Sequence, residues 1–151
     1  GGGEMGELSR ALDWNQTPLG DPANWPKSLQ TMVSVVLNNP LGMYIAWGKE
    51  YTQIYNDAYR PILGNLKHPM ALGKSSRETF SEAWHIIEPM FEGVLEGNPV
   101  GFPDFMLPLN RNDNEEIENC YFDFYYLIIN IKKTLIKIKM YGNFLCAFSA
   151  L

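Results

Sequence analysis

Two kinds of hydrophobic periodicity divide the chain, and they change over near residue 40. Between Pro26 and Asn38 the apolar residues Leu29, Met32, Val33, Val36 and Leu37 recur at intervals of three and four. That spacing gathers side chains into one stripe on an α-helix. Pro26 suits the first helical turn, where its missing N–H costs nothing. Asn38-Asn39-Pro40 stops the helix, because the residue before a proline is driven out of the helical region. Upstream, residues 7–24 are rich in turn formers (Asn15, Pro18, Gly20, Asp21, Pro22) and read as a cap that wraps the surface.

Beyond Pro40 the pattern shortens. Met43–Trp47 and Thr52–Tyr55 read as two short strands joined by a turn near Gly48-Lys49. Asn56 or Asp57 is suited to cap the short helix that follows, and Pro61 and Gly64 keep that helix brief. Ser75-Ser76 starts another turn. Ser81 then opens a helix with Trp84, Ile87, Phe91, Val94 and Leu95 on one face, and Pro89 is expected to kink it or split it in two. Gly97-Asn98-Pro99 closes that stretch. Phe102–Leu109 reads as a strand that Pro103 and Pro108 make irregular or confine to an edge. Arg111–Glu116 is a polar hairpin loop. Along Ile117–Ile129, Cys120, Phe122, Phe124 and Tyr126 alternate with Asn119, Tyr121, Asp123 and Tyr125. Leu135–Phe148 is the last strand, with Ile136, Ile138 and Met140 alternating against Lys137 and Lys139.

This order of helix, two strands, several short helices and three strands predicts an α+β domain whose antiparallel sheet carries helices on one face. The buried faces predict a core that includes Met43, Ile45, Tyr55, Ile87, Phe91, Phe122 and Phe124. A length of 151 residues suits one such domain, and the composition is that of a globular protein. No apolar run is long enough to span a bilayer, and no signal peptide is read before the fold. Cys120 and Cys146 lack metal or redox spacing, so both are expected to be reduced thiols in a cytoplasmic protein.

Charge is uneven. Residues 127–151 hold Lys132, Lys133, Lys137 and Lys139 and no acid, which leaves −9 (−5 − 4) on residues 1–126. An acidic body gives no electrostatic reason to bind nucleic acid or an anionic membrane. The four lysines alternate with apolar residues, as on a solvated strand face. No catalytic constellation emerges. Asp57 and His68 have no nucleophile at a recognisable spacing, and Ser75-Ser76 lacks the Gly-x-Ser-x-Gly elbow. No phosphate-binding glycine loop is present. Glu115, Glu116 and Glu118 crowd a hairpin tip as a solvated cluster. Neither His68 nor His85 has a second ligand at helical or hairpin spacing, so no metal site is expected.

The most specific signal lies in residues 47–73: Trp47-Gly48, Tyr55-Asn56-Asp57-Ala58-Tyr59-Arg60-Pro61, His68-Pro69 and Ala71-Leu72-Gly73. This series resembles the PAS sensory domain found near the N-terminus of bacterial sensor histidine kinases, and the resemblance extends to about residue 126. It implies a cap and flanking helix over 1–40 and a PAS domain over 41–151, with a five-stranded antiparallel sheet closed over short helices. It also implies a cytoplasmic signal-sensing input domain of a two-component sensor histidine kinase. Such a domain answers to a small molecule or partner and transmits to a kinase or other output domain C-terminal to this chain. Homodimers are common among such domains. The chain itself is not expected to be an enzyme, since it lacks a phosphoacceptor-histidine helix and ATP-binding boxes.

A ligand is expected between sheet and helices, against some of Trp47, Tyr55, Trp84, Phe91, Phe124 and Tyr126, with Asn119 and Asp123 as weaker polar candidates. The same aromatics also serve a packed core. Haem and covalent flavin are disfavoured: His85 has only Trp84 beside it, and Cys120 lies in a late strand rather than a mid-fold helix. Two other readings stand beside the first, a ligand-free dimerisation module of the same fold and a small α+β enzyme with an apolar pocket. Residues 127–151 depart from the family pattern. Leu127-Ile128-Ile129-Asn130-Ile131-Lys132-Lys133-Thr134 stands where an acidic glycine turn and a glycine-rich strand belong, a change of bias expected of a frameshifted or truncated gene.

Overall fold

A helix that the apolar spacing does not announce opens the chain. The computed structural model describes residues 1–98, 100–112, 116–129 and 144–149. Helix α1 (Gly3–Ala11) buries Met5 and takes up part of the segment expected to be irregular cap. Two single 3-10 turns follow, Trp14–Gln16 and Pro22–Asn24. Each is started by an aspartate, Asp13 or Asp21, whose carboxylate accepts the N–H two residues on. They carry Trp14 and Trp25 into edge-to-face contact, ring centres 4.9 Å apart. Helix α2 (Lys27–Leu37) matches the expected stripe. Leu29, Met32 and Val36 are buried, while Val33 and Leu37 are half-buried.

Strands β1 (Gly42–Trp47) and β2 (Thr52–Tyr55) pair antiparallel, with Ile45 opposite Ile54 and Tyr44 opposite Tyr55, and all their residues are buried. Side chains alternate across a strand, so both faces of this pair are covered. Tyr44, Gln53 and Tyr55 face the short helices: Tyr44 stacks on Tyr59 at 5.2 Å, and Gln53 donates to the Ala71 carbonyl and the Thr79 hydroxyl. Met43, Ile45, Trp47 and Ile54 occupy the other face, and α2, which packs on β1 and β2, covers it.

A 3-10 turn (Asp57–Tyr59) leads into α3 (Arg60–Lys67), which breaks at Gly64. There φ is 60° and ψ is −173°, and an added Cβ would strike the Arg111 backbone. After α4 (Ser76–Thr79) and a 3-10 turn at Ser81–Ala83 comes α5 (Trp84–Leu95). The expected split at Pro89 is not found. One helix runs through it, because a proline forfeits a single backbone bond while Ile87, Phe91 and Val94 hold the helix to the core.

Strands β3 (Val100–Leu109) and β4 (Glu118–Ile129) pair antiparallel, with a register shift between Phe102 and Phe105, around Pro103. Strand β5 (Phe144–Ser149) lies between β1 and β4, giving the order β2-β1-β5-β4-β3. This places β3 at an edge, as its prolines require. The expectation of an all-antiparallel sheet does not hold, since β5 runs parallel to both β1 and β4. A parallel pair needs a long connection rather than a tight hairpin. The part of the expected last strand before Phe144 lies outside the described residues.

The alternation expected along β4 is present. Cys120 is buried and Phe122 half-buried, while Asn119, Tyr121 and Asp123 are exposed. Met43, Ile45, Tyr55, Ile87 and Phe91 sit in the core as expected. The Phe124 and Tyr126 side chains lie outside the described residues.

Candidate functional site

The residues of the Tyr55–His68 series converge on the N-terminal helix. Asn56 does not cap the turn that follows it. Its Oδ1 accepts the Met43 N–H at 2.9 Å, and its Nδ2 donates to the carbonyls of Asn39 (3.0 Å) and Leu41 (2.6 Å). Together with the Asn56 N–H to the Met43 carbonyl at 3.2 Å, these bonds fasten the entry of β1 to the end of β2. A buried amide with this many partners is satisfied where it stands.

Asp57 does not cap its own helix either. Its carboxylate accepts the N–H groups of Glu4 (3.1 Å) and Met5 (2.7 Å), two orphan donors at the start of α1. Gly2, at the N-cap of α1, has no side chain to do this, so the cap is tertiary. Gly3, at φ 57°, lets the carboxylate approach, since a Cβ there would meet it.

Arg60 and His68 close on the Glu4 side chain. The Arg60 guanidinium pairs with Oε2, and His68 Nε2 is 3.4 Å from Oε1. The Tyr55 hydroxyl lies 3.1 Å from His68 Nδ1. Burial pushes the Tyr55 phenol well above its ordinary pKa, with Arg60 opposing, so the phenol keeps its proton. A carboxylate only accepts, so the Glu4 contact assigns a proton to Nε2. Nδ1 is then the ring atom that pairs with the Tyr55 hydroxyl. An open cavity of about 350 Å³ lies on this cluster, lined by Asp57, Arg60, Pro61, Gly64, Asn65 and His68.

Of the six aromatic residues among which a ligand is expected, four have described side chains, and Trp47 and Tyr55 do not share a face. Trp47 is three residues beyond Tyr44, the partner of Tyr55, so Trp47 and Tyr55 point to opposite faces of the β1–β2 pair. Trp84 and Phe91 do meet, at 5.5 Å, and Tyr51 joins them at 5.7 and 5.2 Å. The Arg77 guanidinium lies 4.8 Å from the Tyr51 ring centre and 5.7 Å from that of Trp84. Tyr51 and Arg77 are absent from the periodic pattern, because one sits in a turn at φ 48° and the other in a single-turn helix.

Asn119 and Asp123 are exposed, and Asp123 accepts the Asp104 N–H at 2.7 Å. His85 is exposed. Cys120 is buried, and burial pushes its thiol pKa up. A second groove, about 460 Å³, runs between α1 and α2 over Trp14, Trp25, Val33 and Leu37. Among the described residues no group of His, Cys, Asp and Glu is placed to hold a metal, and no helix is long and apolar enough to cross a membrane.

No protein-family model matches the chain, and no curated protein matches it.

Proposed function

We propose that this chain is a PAS-type sensory input domain of a bacterial sensor histidine kinase, acting in the cytoplasm and transmitting to an output domain outside this chain. The observation that carries the proposal is the convergence of the Tyr55–His68 series on α1. Asp57, Arg60 and His68 hold one helix end through a backbone cap and a shared carboxylate. The short helices between β2 and β3, packed on one face of the β1–β2 pair, also support it. We read the first turn of α1, held in part by exposed polar contacts, as an element with two states, held and released. A signal that favours one state biases the output.

The test is a fusion of this chain to a histidine-kinase core. His68→Ala and Asp57→Asn should alter autophosphorylation relative to the unmutated fusion. The chain alone should neither hydrolyse ATP nor form phosphohistidine. A fusion insensitive to both substitutions would overturn the reading.

A second reading, a dimerisation module without a ligand, is favoured by the outer face of β3–β4. There the cross-strand neighbours Met106 and Tyr121 are 40% and 61% exposed. Sedimentation of Tyr121→Glu against the unmutated chain separates the two, because a dimer built on this face should dissociate.

A further inference from the structure

We infer that Asp57, Arg60 and His68 form a receptor for small amino carboxylates, occupied in this structure by Glu4 as an internal ligand. Glu4 is held through two of its own groups. Its backbone N–H donates to Asp57 Oδ2 at 3.1 Å, and its carboxylate meets Arg60 and His68. The atoms from that nitrogen to that carboxylate are N, Cα, Cβ, Cγ and Cδ, the skeleton of 4-aminobutyrate, which free glutamate also contains. A free ammonium would replace a neutral N–H donor at Asp57 and make a charge-assisted bond. Arg60 offers a planar fork suited to a carboxylate, and Tyr55 fixes the imidazole that completes the grip.

Glu4 is poised to be displaced. Its side chain is 49% exposed and that of Arg60 41% exposed, and ion pairs of that exposure are weak. The cavity of about 350 Å³ opens on the same three residues, so a competitor has room to enter before Glu4 leaves. Displacement would remove the ion pair and the Glu4 half of the α1 cap, leaving the helix held by the Met5 N–H on Asp57 and by the buried Met5 side chain, so its first turn would loosen. In its signalling consequence this inference rests on the sensory reading above. The binding site does not.

The probes are 4-aminobutyrate, L-glutamate and glutarate, which lacks the amine, measured by calorimetry on the whole chain. Glu4→Ala removes the competing carboxylate and should bind 4-aminobutyrate about tenfold more tightly than the unmutated chain, since Arg60 and His68 are then open in every molecule and only the residue-4 N–H remains to be displaced from Asp57. Adding Arg60→Gln to Glu4→Ala should abolish binding while circular dichroism remains that of a folded domain. In the unmutated chain, saturating 4-aminobutyrate should speed amide exchange in residues 3–11 and leave β1–β2 protected. The inference is overturned if folded Glu4→Ala protein binds neither amine, if glutarate binds as tightly as 4-aminobutyrate, or if exchange in α1 is unchanged at saturation. These readouts need no kinase. Binding without any change in the output of the fusion would sink the sensory reading and keep the site. Absence of binding would sink the site alone.

Discussion

Asn56 shows how one side chain can close a strand pair. Replacing it by alanine leaves the buried Met43 N–H and the Asn39 and Leu41 carbonyls without their partner. Unmade buried bonds cost about 1–3 kcal/mol each, partly recovered where water reaches them, so Asn56→Ala should lose roughly 2–4 kcal/mol in urea unfolding. A loss within error of zero would mean that the staple is redundant. Glu118 lends itself to a pH test. A hydrogen bond from Arg111 is the main force lowering its carboxyl pKa below the ordinary value of 4.5. A folded-state pKa below the unfolded one contributes stability above the unfolded value, and that stability is lost as pH falls through the folded value. Glu118→Gln should therefore be less stable near neutral pH, and its stability should fall less steeply below pH 4.5 than that of the unmutated chain. The same curve for both would remove Arg111–Glu118 from the account. Cys120, buried with its thiol pKa raised, should resist alkylation until the domain unfolds, as peptide mapping would show.

The helices divide by where their stability comes from. Met32 in α2 is 4% exposed and packs into the core under the β1–β2 pair, so Met32→Ala should cost about 2–5 kcal/mol. Val33 and Leu37 lie on the flank of the same helix and line the groove shared with Trp14 and Trp25. Changing both to glutamate should weaken the seat of α1 and lower the unfolding midpoint, because two carboxylates would replace apolar packing against the tryptophan rings, with Arg10 the one cation among the described residues lining the groove. A soluble chain with an unchanged midpoint would show that this flank carries little of the packing. Pro89 sits exposed inside α5. Interior proline costs a helix about 3 kcal/mol, so Pro89→Ala should stabilise the domain by up to that amount, read as a rise in the thermal midpoint. Part of this segment was legible in advance. The spacing of Ile87, Phe91 and Val94 marks a helix, but no pattern says whether the core outweighs one lost hydrogen bond.

At the size of the whole domain, the β1–β2 pair is its most enclosed part, with α2 on one face and the turns around Tyr59 and Phe80 on the other. The β3–β4 pair is half open, with Met106, Tyr121 and Ile117 exposed. Amide exchange should follow this division, slowest in β1–β2 and faster along β3. Equal protection in both pairs would contradict it. Contacts at Arg111 tie helix α3 to the end of β3. Leu66 N–H donates to the Arg111 carbonyl at 3.1 Å, and Arg111 Nη1 donates to the Pro61 carbonyl at 2.9 Å. Another bridge is the nearly buried pair of Lys67 and Glu82 at 2.7 Å, whose Glu82 also accepts the Asn110 N–H. Breaking it with Glu82→Ala strands a cation near the Phe80 ring and should cost more than removing an exposed pair such as Arg77–Glu50.

The sequence by itself determined what short-range periodicity encodes. The α2 stripe, the strands β1 and β2, the two faces of β4 and the edge character of β3 could all be read from spacing and proline positions, because each depends only on which side of an element is apolar. Tertiary structure alone decided the rest. Helix α1 exists through a cap borrowed from Asp57, fifty-three residues from Glu4, and no local pattern announces a cap at that distance. Trp47 and Tyr55 both look like pocket residues, but the strand register sends them to opposite faces. Asp57, Arg60 and His68 are separately unremarkable in sequence. They come together because the break at Gly64 and the turn after Tyr55 bring their polar groups around one glutamate. Electrostatic contacts depend on distance in space, and distance in space is what the chain sets only after it folds.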